Sequence, residues 1–296
     1  MTAGPLQARS SIGQLLRTGW QQLGEMSPSP RLDAELLLAR ASGLDRAGLI
    51  KHGDECLSCE QVEIFAALLT ARAAGTPIAY LLGQREFWSL AFVVTDCTLI
   101  PRPETELLVE AALGLIERNA IHRLADLGTG AGTIALAIAH EHKHLDITAT
   151  DLSEPALAIA RANAARFGLD GIRFLPGDWF VPLAGQKFDL IVSNPPYVAE
   201  GDPHLEEGDV RFEPRAALTA GRDGLDAIRR IVADAPAHLH QEGWLLLEHG
   251  HDQGAAVRAL LADHGFEAVS TRVDLAGLDR MTLGRTIRIS EAQAID

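Results

Sequence analysis

Asn194-Pro195-Pro196-Tyr197 follows the apolar run Phe188-Asp189-Leu190-Ile191-Val192-Ser193, and these four residue types suit the alkylation of a planar NH2 group. The lone pair of an amide or exocyclic amine is delocalised into its π system, so it has to be turned toward an incoming carbon. Acceptors do that. With the Asn194 side-chain oxygen and the Pro195 carbonyl each accepting one N–H, the nitrogen is drawn toward a tetrahedral shape. Pro195 biases Asn194 to extended backbone, and neither proline has an N–H to compete for the acceptors. Tyr197 can cover the π face of the target. Asn194, Pro195 and Tyr197 are therefore the candidate catalytic residues, and Pro196 completes the ledge that would hold the substrate. The competing reading is a tight turn after a strand, which Asn-Pro often makes.

The elements that must position this ledge lie upstream. Leu124-Ala125-Asp126-Leu127 reads as a buried strand running into Gly128-Thr129-Gly130-Ala131-Gly132, followed by a helix over 133–140. Such a turn lets backbone approach a ligand, and the helix start offers free N–H groups. Its spacing differs from the G-x-G-x-x-G that seats a pyrophosphate, which favours a cofactor without phosphates. A second strand over 145–150 ends at Asp151, where a carboxylate can accept from ribose hydroxyls; an N-cap is the alternative. A third over 172–175 leads to Asp178, a candidate acceptor for an adenine amino group, and Trp179, which would pack beside the ring or in the core. Four strand ends thus fall on one edge of a parallel sheet, where open α/β sheets bind ligands.

With these motifs in place the sequence resembles the class I S-adenosylmethionine-dependent methyltransferases, and among them the release-factor glutamine methyltransferases, the PrmC/HemK family. The segments that carry the resemblance beyond Asn-Pro-Pro-Tyr, which adenine-N6 methyltransferases share, are Gly83-Gln84-Arg85-Glu86-Phe87-Trp88, Leu99-Ile100-Pro101-Arg102-Pro103-Glu104-Thr105-Glu106, Phe212-Glu213-Pro214-Arg215-Ala216-Ala217-Leu218, Gly224-Leu225-Asp226 and Glu248-His249-Gly250. The resemblance implies an α/β Rossmann-like sheet with a small N-terminal helical bundle and a β-hairpin connector. It also implies methyl transfer from S-adenosyl-L-methionine, leaving S-adenosyl-L-homocysteine, to N5 of the glutamine in the Gly-Gly-Gln motif of class I peptide chain release factors. Gly128, Thr129, Gly130, Ala131 and Gly132 would then lie along the methionine part of the cofactor, Asp151 would hold the ribose, and Asp178 with Trp179 would frame the adenine. Asn194 would touch cofactor and substrate, and Arg102 and Glu104 would line the cofactor mouth. No metal is required, because a sulfonium leaving group departs neutral.

Composition narrows the alternatives. The chain has 26 Lys plus Arg against 40 Asp plus Glu, a formal charge of −14, which disfavours a duplex DNA or RNA partner. Residues 1–80 carry 7 basic and 8 acidic residues, so they form no basic arm. Cys56, Cys59 and Cys97 are an odd set that reads as reduced thiols. The start Met1-Thr2-Ala3-Gly4-Pro5 has no secretory pattern and no apolar run reaches a membrane span, so a cytoplasmic protein with no membrane partner is expected. His140, His142 and His144 read as solvated residues at a helix end, and His249 and His251 as turn positions. Residues 1–80 are expected to form a helical substrate-docking domain, with Ile12, Leu15, Leu16 and Leu23 on one helix, 33–41 in another and Val62, Phe65 and Leu69 on a third. A connector over 81–102 with a hairpin break near Asp96 is expected, then the catalytic domain over 103–296. Its later part reads as a helix over 225–239, a strand over 244–247, a helix over 252–264, and strands over 266–273 and 281–289. An adenine-N6 methyltransferase and a non-catalytic cofactor-binding interaction protein are the two other readings.

Overall fold

The computed structural model of the chain describes residues 10–287, which divide into two units. The first comprises residues 10–84 together with Glu206–Phe212. Its helices are α1 (Ile12–Leu23), α2 (Pro30–Ser42), α3 (Arg46–Lys51), α4 (Cys59–Ala73) and α5 (Ile78–Leu82). The sequence marks where two of them start: Ser11 with Gln14 and Ser58 with Gln61 each close a capping box, satisfying backbone N–H groups that a helix start leaves free. Apolar residues at helical spacing then meet in a core containing Ile12, Leu15, Leu37, Leu38, Phe65 and Leu69. The short helices α3 and α5 carry too few turns for a periodicity to show and were not anticipated.

Within this unit a charge is buried. The Arg72 guanidinium, 4% exposed, donates to Asp33 at 2.7 Å, to Asp209 at 2.7 Å and to the Thr76 carbonyl at 3.0 Å. Asp33 in turn accepts from the hydroxyls of Ser27 and Ser29. Desolvation would lower the Arg72 pKa; the hydrogen bonds and charges of Asp209 and Asp33 outweigh it and raise it.

The second unit starts at Arg85, one residue into a hairpin of β1 (Gln84–Phe87) and β2 (Leu90–Val93). The turn lies at Trp88-Ser89, not near Asp96, where the break was expected. Both turn residues have positive φ, 51° and 57°. A Trp-Ser turn carries none of the usual Asn or Gly signal. Tertiary contacts hold it: the Trp88 backbone N–H donates to Glu106 and its indole to Glu141, both at 2.9 Å. Asp96 instead sits in a loop closed by Thr98 N–H on the Thr95 carbonyl.

After it come α6 (Glu106–Arg118), β3 (Arg123–Leu127), α7 (Thr133–Glu141), β4 (Asp146–Asp151), α8 (Glu154–Phe167), β5 (Arg173–Pro176) and β6 (Phe188–Ser193). Next are α9 (Asp226–His238), β7 (Leu239–Glu248), α10 (Gly254–Asp263), β8 (Phe266–Val273) and β9 (Asp279–Thr286). The sheet order is β5-β4-β3-β6-β7-β9-β8, parallel from β5 to β7, with β9 antiparallel to both its neighbours. This is the α/β Rossmann-like sheet that was expected. Side chains alternate across it: Leu190, Val192 and Leu246 pack with α6 and α7 residues, while Ile191, Leu245 and Leu247 pack with those of α9 and α10. Helices therefore cover both faces, and the chain crosses from β5 back to β6 beside β3, which opens a crevice at the carboxyl end of those two strands. Residues 288–289 of the last expected strand, the tail 291–296 and the five N-terminal residues lie outside the described residues.

Candidate active site

The register of β3 on β6 sets Leu127 beside Ser193, whose hydroxyl donates to the Leu127 carbonyl at 2.7 Å. The glycine turn and the Asn-Pro-Pro-Tyr ledge therefore leave the sheet side by side. A cavity of about 290 Å3 lies at this edge and brings together Gly128, Gly130, Asp151, Asp178, Trp179, Asn194 and Pro196. All seven were candidates from the sequence.

The remaining glycine-turn residues stand behind the lining. Thr129 is buried with its hydroxyl on Asp126 at 2.6 Å, and the Ala131 carbonyl accepts from Asn163. Gly132 caps α7 at φ +84°, where a Cβ would lie 2.8 Å from Leu136. At Gly128 a Cβ would lie 3.1 Å from the Trp179 ring, so only glycine lets that indole close over the turn. Trp179 is itself at φ +46°, and its carbonyl accepts from Thr150.

Asp151 closes the next wall. One oxygen accepts the Gly130 N–H and the other the Ser153 N–H, each at 2.8 Å, so each keeps capacity for a hydroxyl donor. Burial raises its pKa. Capping of α8 falls to Ser153, which settles the N-cap alternative for Asp151. Asp178 lines the cavity while pairing with Arg230 at 2.6 Å. Deeper in the sheet, burial lifts Asp126 to about 7 against hydrogen bonds from Thr129 and the Ala135 N–H, and its Oδ1 has no partner.

On the ledge, Asn194 donates through Nδ2 to the Thr105 hydroxyl at 3.2 Å, which leaves its Oδ1 as the atom available to accept. Pro195 is buried, while Tyr197 donates its hydroxyl to Glu248 at 3.2 Å and its carbonyl accepts from Gln253 at 3.0 Å. Gly224 allows this approach, since a Cβ there would lie 2.2 Å from the Tyr197 carbonyl oxygen.

Several lining residues escaped the sequence reading: Cys97, Thr98, Leu99, Leu152, Ala156 and the stretch Pro214, Ala216, Ala217. Leu99 and the stretch Pro214, Ala216, Ala217 lie in segments that carried the family resemblance, the only sign of them available. Buried Glu213 fastens the two walls by accepting the Ile100 N–H at 2.9 Å and pairing with Arg102. Arg102, expected at the mouth, thus spends its charge on Glu213; neither it nor Glu104 lines the cavity. His249, expected in a turn, is fully buried and bonded to Thr282 and the Gly250 carbonyl.

The residues fit S-adenosylmethionine. The spare lone pairs of Asp151 suit a diol, Trp179, Leu152 and Ala156 offer an apolar wall to a purine, and around the Gly130 Cβ position there is open space.

Residues 103–208 match the family described as Methyltransferase small domain, and residues 14–83 match the PrmC N-terminal domain. The release factor glutamine methyltransferase of Xylella fastidiosa (strain Temecula1) is 55% identical over 255 residues, covering 86% of this chain and 93% of that one. That of Pseudomonas aeruginosa is 52% identical over 259 residues, covering 88% and 94%. Among solved structures, a methyltransferase from Pyrococcus furiosus superposes with a TM-score of 0.51 at 16% identity, covering 75% of this chain and 98% of that one. That likeness shows the fold alone.

Proposed function

The chain belongs to the release factor glutamine methyltransferases, and from that membership we propose how its cavity works. The protein is an S-adenosylmethionine-dependent enzyme that methylates a release-factor glutamine. The finer reading is that the product is N5-methylglutamine in the Gly-Gly-Gln motif of class I factors, formed in the cytoplasm, where these factors act. No helix among the described residues is long and apolar enough to cross a membrane.

When bound, the cofactor supplies an electrophilic methyl group on a sulfonium. The glycine turn with Asp151, Asp178 and Trp179 holds it at the edge of β3, β4 and β5. Asn194 Oδ1 and the Pro195 carbonyl accept the two amide hydrogens of the glutamine and turn its lone pair toward that edge. Pro196 and Tyr197 flank the amide and exclude water. Asn194 works by orientation and takes no proton, because the nitrogen becomes acidic only as the new bond forms and loses its proton late, to solvent as the product leaves. The observation that carries this reading is the amide of Asn194, whose NH2 is occupied by Thr105 and whose oxygen is left to accept.

The first unit, with its exposed Leu32 and Ile50, serves to dock the protein substrate. The test of the whole reading incubates the purified chain with S-adenosylmethionine and an unmodified release factor and locates added methyl by peptide mass spectrometry. Methyl on the Gly-Gly-Gln glutamine is expected. An unmodified factor beside methylated RNA would move the enzyme to the adenine class and overturn it.

A further inference from the structure

An amide side chain that must accept needs something to stop it from flipping. Turned by 180°, Asn194 would aim its NH2 at the substrate NH2, two donors facing each other. A threonine hydroxyl alone does not prevent this, because it accepts from Nδ2 in one orientation and donates to Oδ1 in the other. What decides is where the hydroxyl hydrogen goes.

Glu248 answers that question. It closes β7, next to β6 in the sheet, where Leu247 is paired with Ser193 and Asn194 is the next residue along. Its carboxylate is 1% exposed, its Oε1 takes the Tyr197 hydroxyl, and Oε2 has no hydrogen-bond partner. The Thr105 hydroxyl lies near enough to this carboxylate to favour its ionised form. An ionised carboxylate only accepts, so the Thr105 hydrogen points to it and the Thr105 oxygen is left to receive Asn194 Nδ2. Tyr197 is held by the same carboxylate. Both polar side chains of the ledge thus depend on one buried charge.

Resting on the function proposed above, we infer that Thr105 and Glu248 are positioning residues for the methyl transfer: they lock the Asn194 amide with Oδ1 toward the acceptor nitrogen and fix Tyr197 beside it. Neither lines the cavity, so the cofactor does not need them. The charged groups around the pair are Glu104 and Arg102 ahead of α6, Arg280 of β9 and its partner Asp274, with buried His249 next along the chain. Burial lifts Glu248 to about 7, with Thr105, Arg280 and Tyr197 opposing and Glu104 adding to the rise. The lock is therefore complete above that pH and released below it, as the protonated acid becomes a donor.

Three variants test this on the full chain with an unmodified release factor: Thr105→Val, Thr105→Ser and Glu248→Gln. Thr105→Val, nearly isosteric but without an acceptor, lowers kcat by about tenfold to a hundredfold. Its KM for the factor, its melting temperature and its affinity for S-adenosylhomocysteine by calorimetry stay close to wild type. Thr105→Ser restores most of kcat. The wild-type kcat climbs as pH rises through about 7, and Glu248→Gln is slow and flat across that range. Wild-type kcat in Thr105→Val, no rescue by serine, a parallel loss of cofactor binding or melting temperature, or an unchanged pH limb in Glu248→Gln would each overturn the proposal while leaving the methyltransferase reading intact. A wild-type chain that leaves the glutamine unmodified overturns that reading, and this proposal with it.

Discussion

Buried charge is handled in opposite ways in the two units. In the helical unit the Arg72 guanidinium and the Asp33 carboxylate satisfy one another through Asp209, Thr76, Ser27 and Ser29. At the carboxyl edge of the sheet, Asp126 and Glu248 each keep an oxygen without a partner, and burial raises both to about 7. A compensated pair holds one structure over a wide pH range, whereas an under-compensated carboxylate is poised between two protonation states. The difference separates an interior that has only to stand from one that has to orient reacting groups.

The largest effect should come from breaking the compensated side. Arg72→Met leaves Asp33 buried with its main partner gone and should cost about 3–5 kcal/mol of stability by urea denaturation. Replacing both partners, Arg72→Met with Asp33→Leu, should recover much of that loss. A single variant as stable as wild type would mean the network is not compensating anything.

On the other side, Asn194→Ala should lower turnover at saturating S-adenosylmethionine about a hundredfold, with melting temperature near wild type. Removal of the acceptor leaves a fold that does not depend on it. Wild-type turnover in a variant that binds cofactor normally would refute the orienting role.

Asp126 sharpens the comparison through pH. Its carboxyl rises from an ordinary 3.8 to about 7 through burial, so between those values the native chain holds a proton that the unfolded chain releases. Its contribution is therefore full at the low end of that window, declines as pH rises through it and is level above. Asp126→Asn keeps a neutral acceptor for Thr129 and Ala135, and should shrink the stability difference between about pH 5 and pH 8 by roughly 2 kcal/mol. An undiminished slope in urea titrations would assign the pH dependence elsewhere.

How far the sequence revealed this depended on the kind of signal. Strand, glycine turn and helix at 124–140 were legible because local chemistry specifies each step, and so was the ledge, where the proline pair stiffens Asn194. The hairpin turn was not, because Trp88 and Ser89 adopt positive φ only through Glu106 and Glu141, which lie 18 and 53 residues away. Nor were the roles of Glu213 and Glu248. A glutamate in a sequence reads as solvated surface until the fold shows that its loop or strand end is covered, and that is a non-local property. For the same reason Thr105 drew no role of its own from the sequence. Its hydroxyl acquires a function only when β6 brings Asn194 across 89 residues of chain.

The smallest effect concerns the outside of the helical unit, which inverts its inside. There, apolar side chains are left uncovered: Ile50 is 83% exposed and Leu32 40%, lining one groove with Arg31 and Arg46, which both pair with Glu35. Isolated apolar residues on a surface are ordinary, but two sharing a groove suit a protein partner that supplies an apolar side chain. Ile50→Asp should raise KM for an intact release factor about fivefold, equivalent to ~1 kcal/mol, with kcat unchanged. On a short Gly-Gly-Gln peptide the same variant should match wild type. An equal rise on both substrates would place the effect at the sheet edge and remove the division of labour; no rise on either would leave the helical unit as a buttress whose buried ion network is its main contribution.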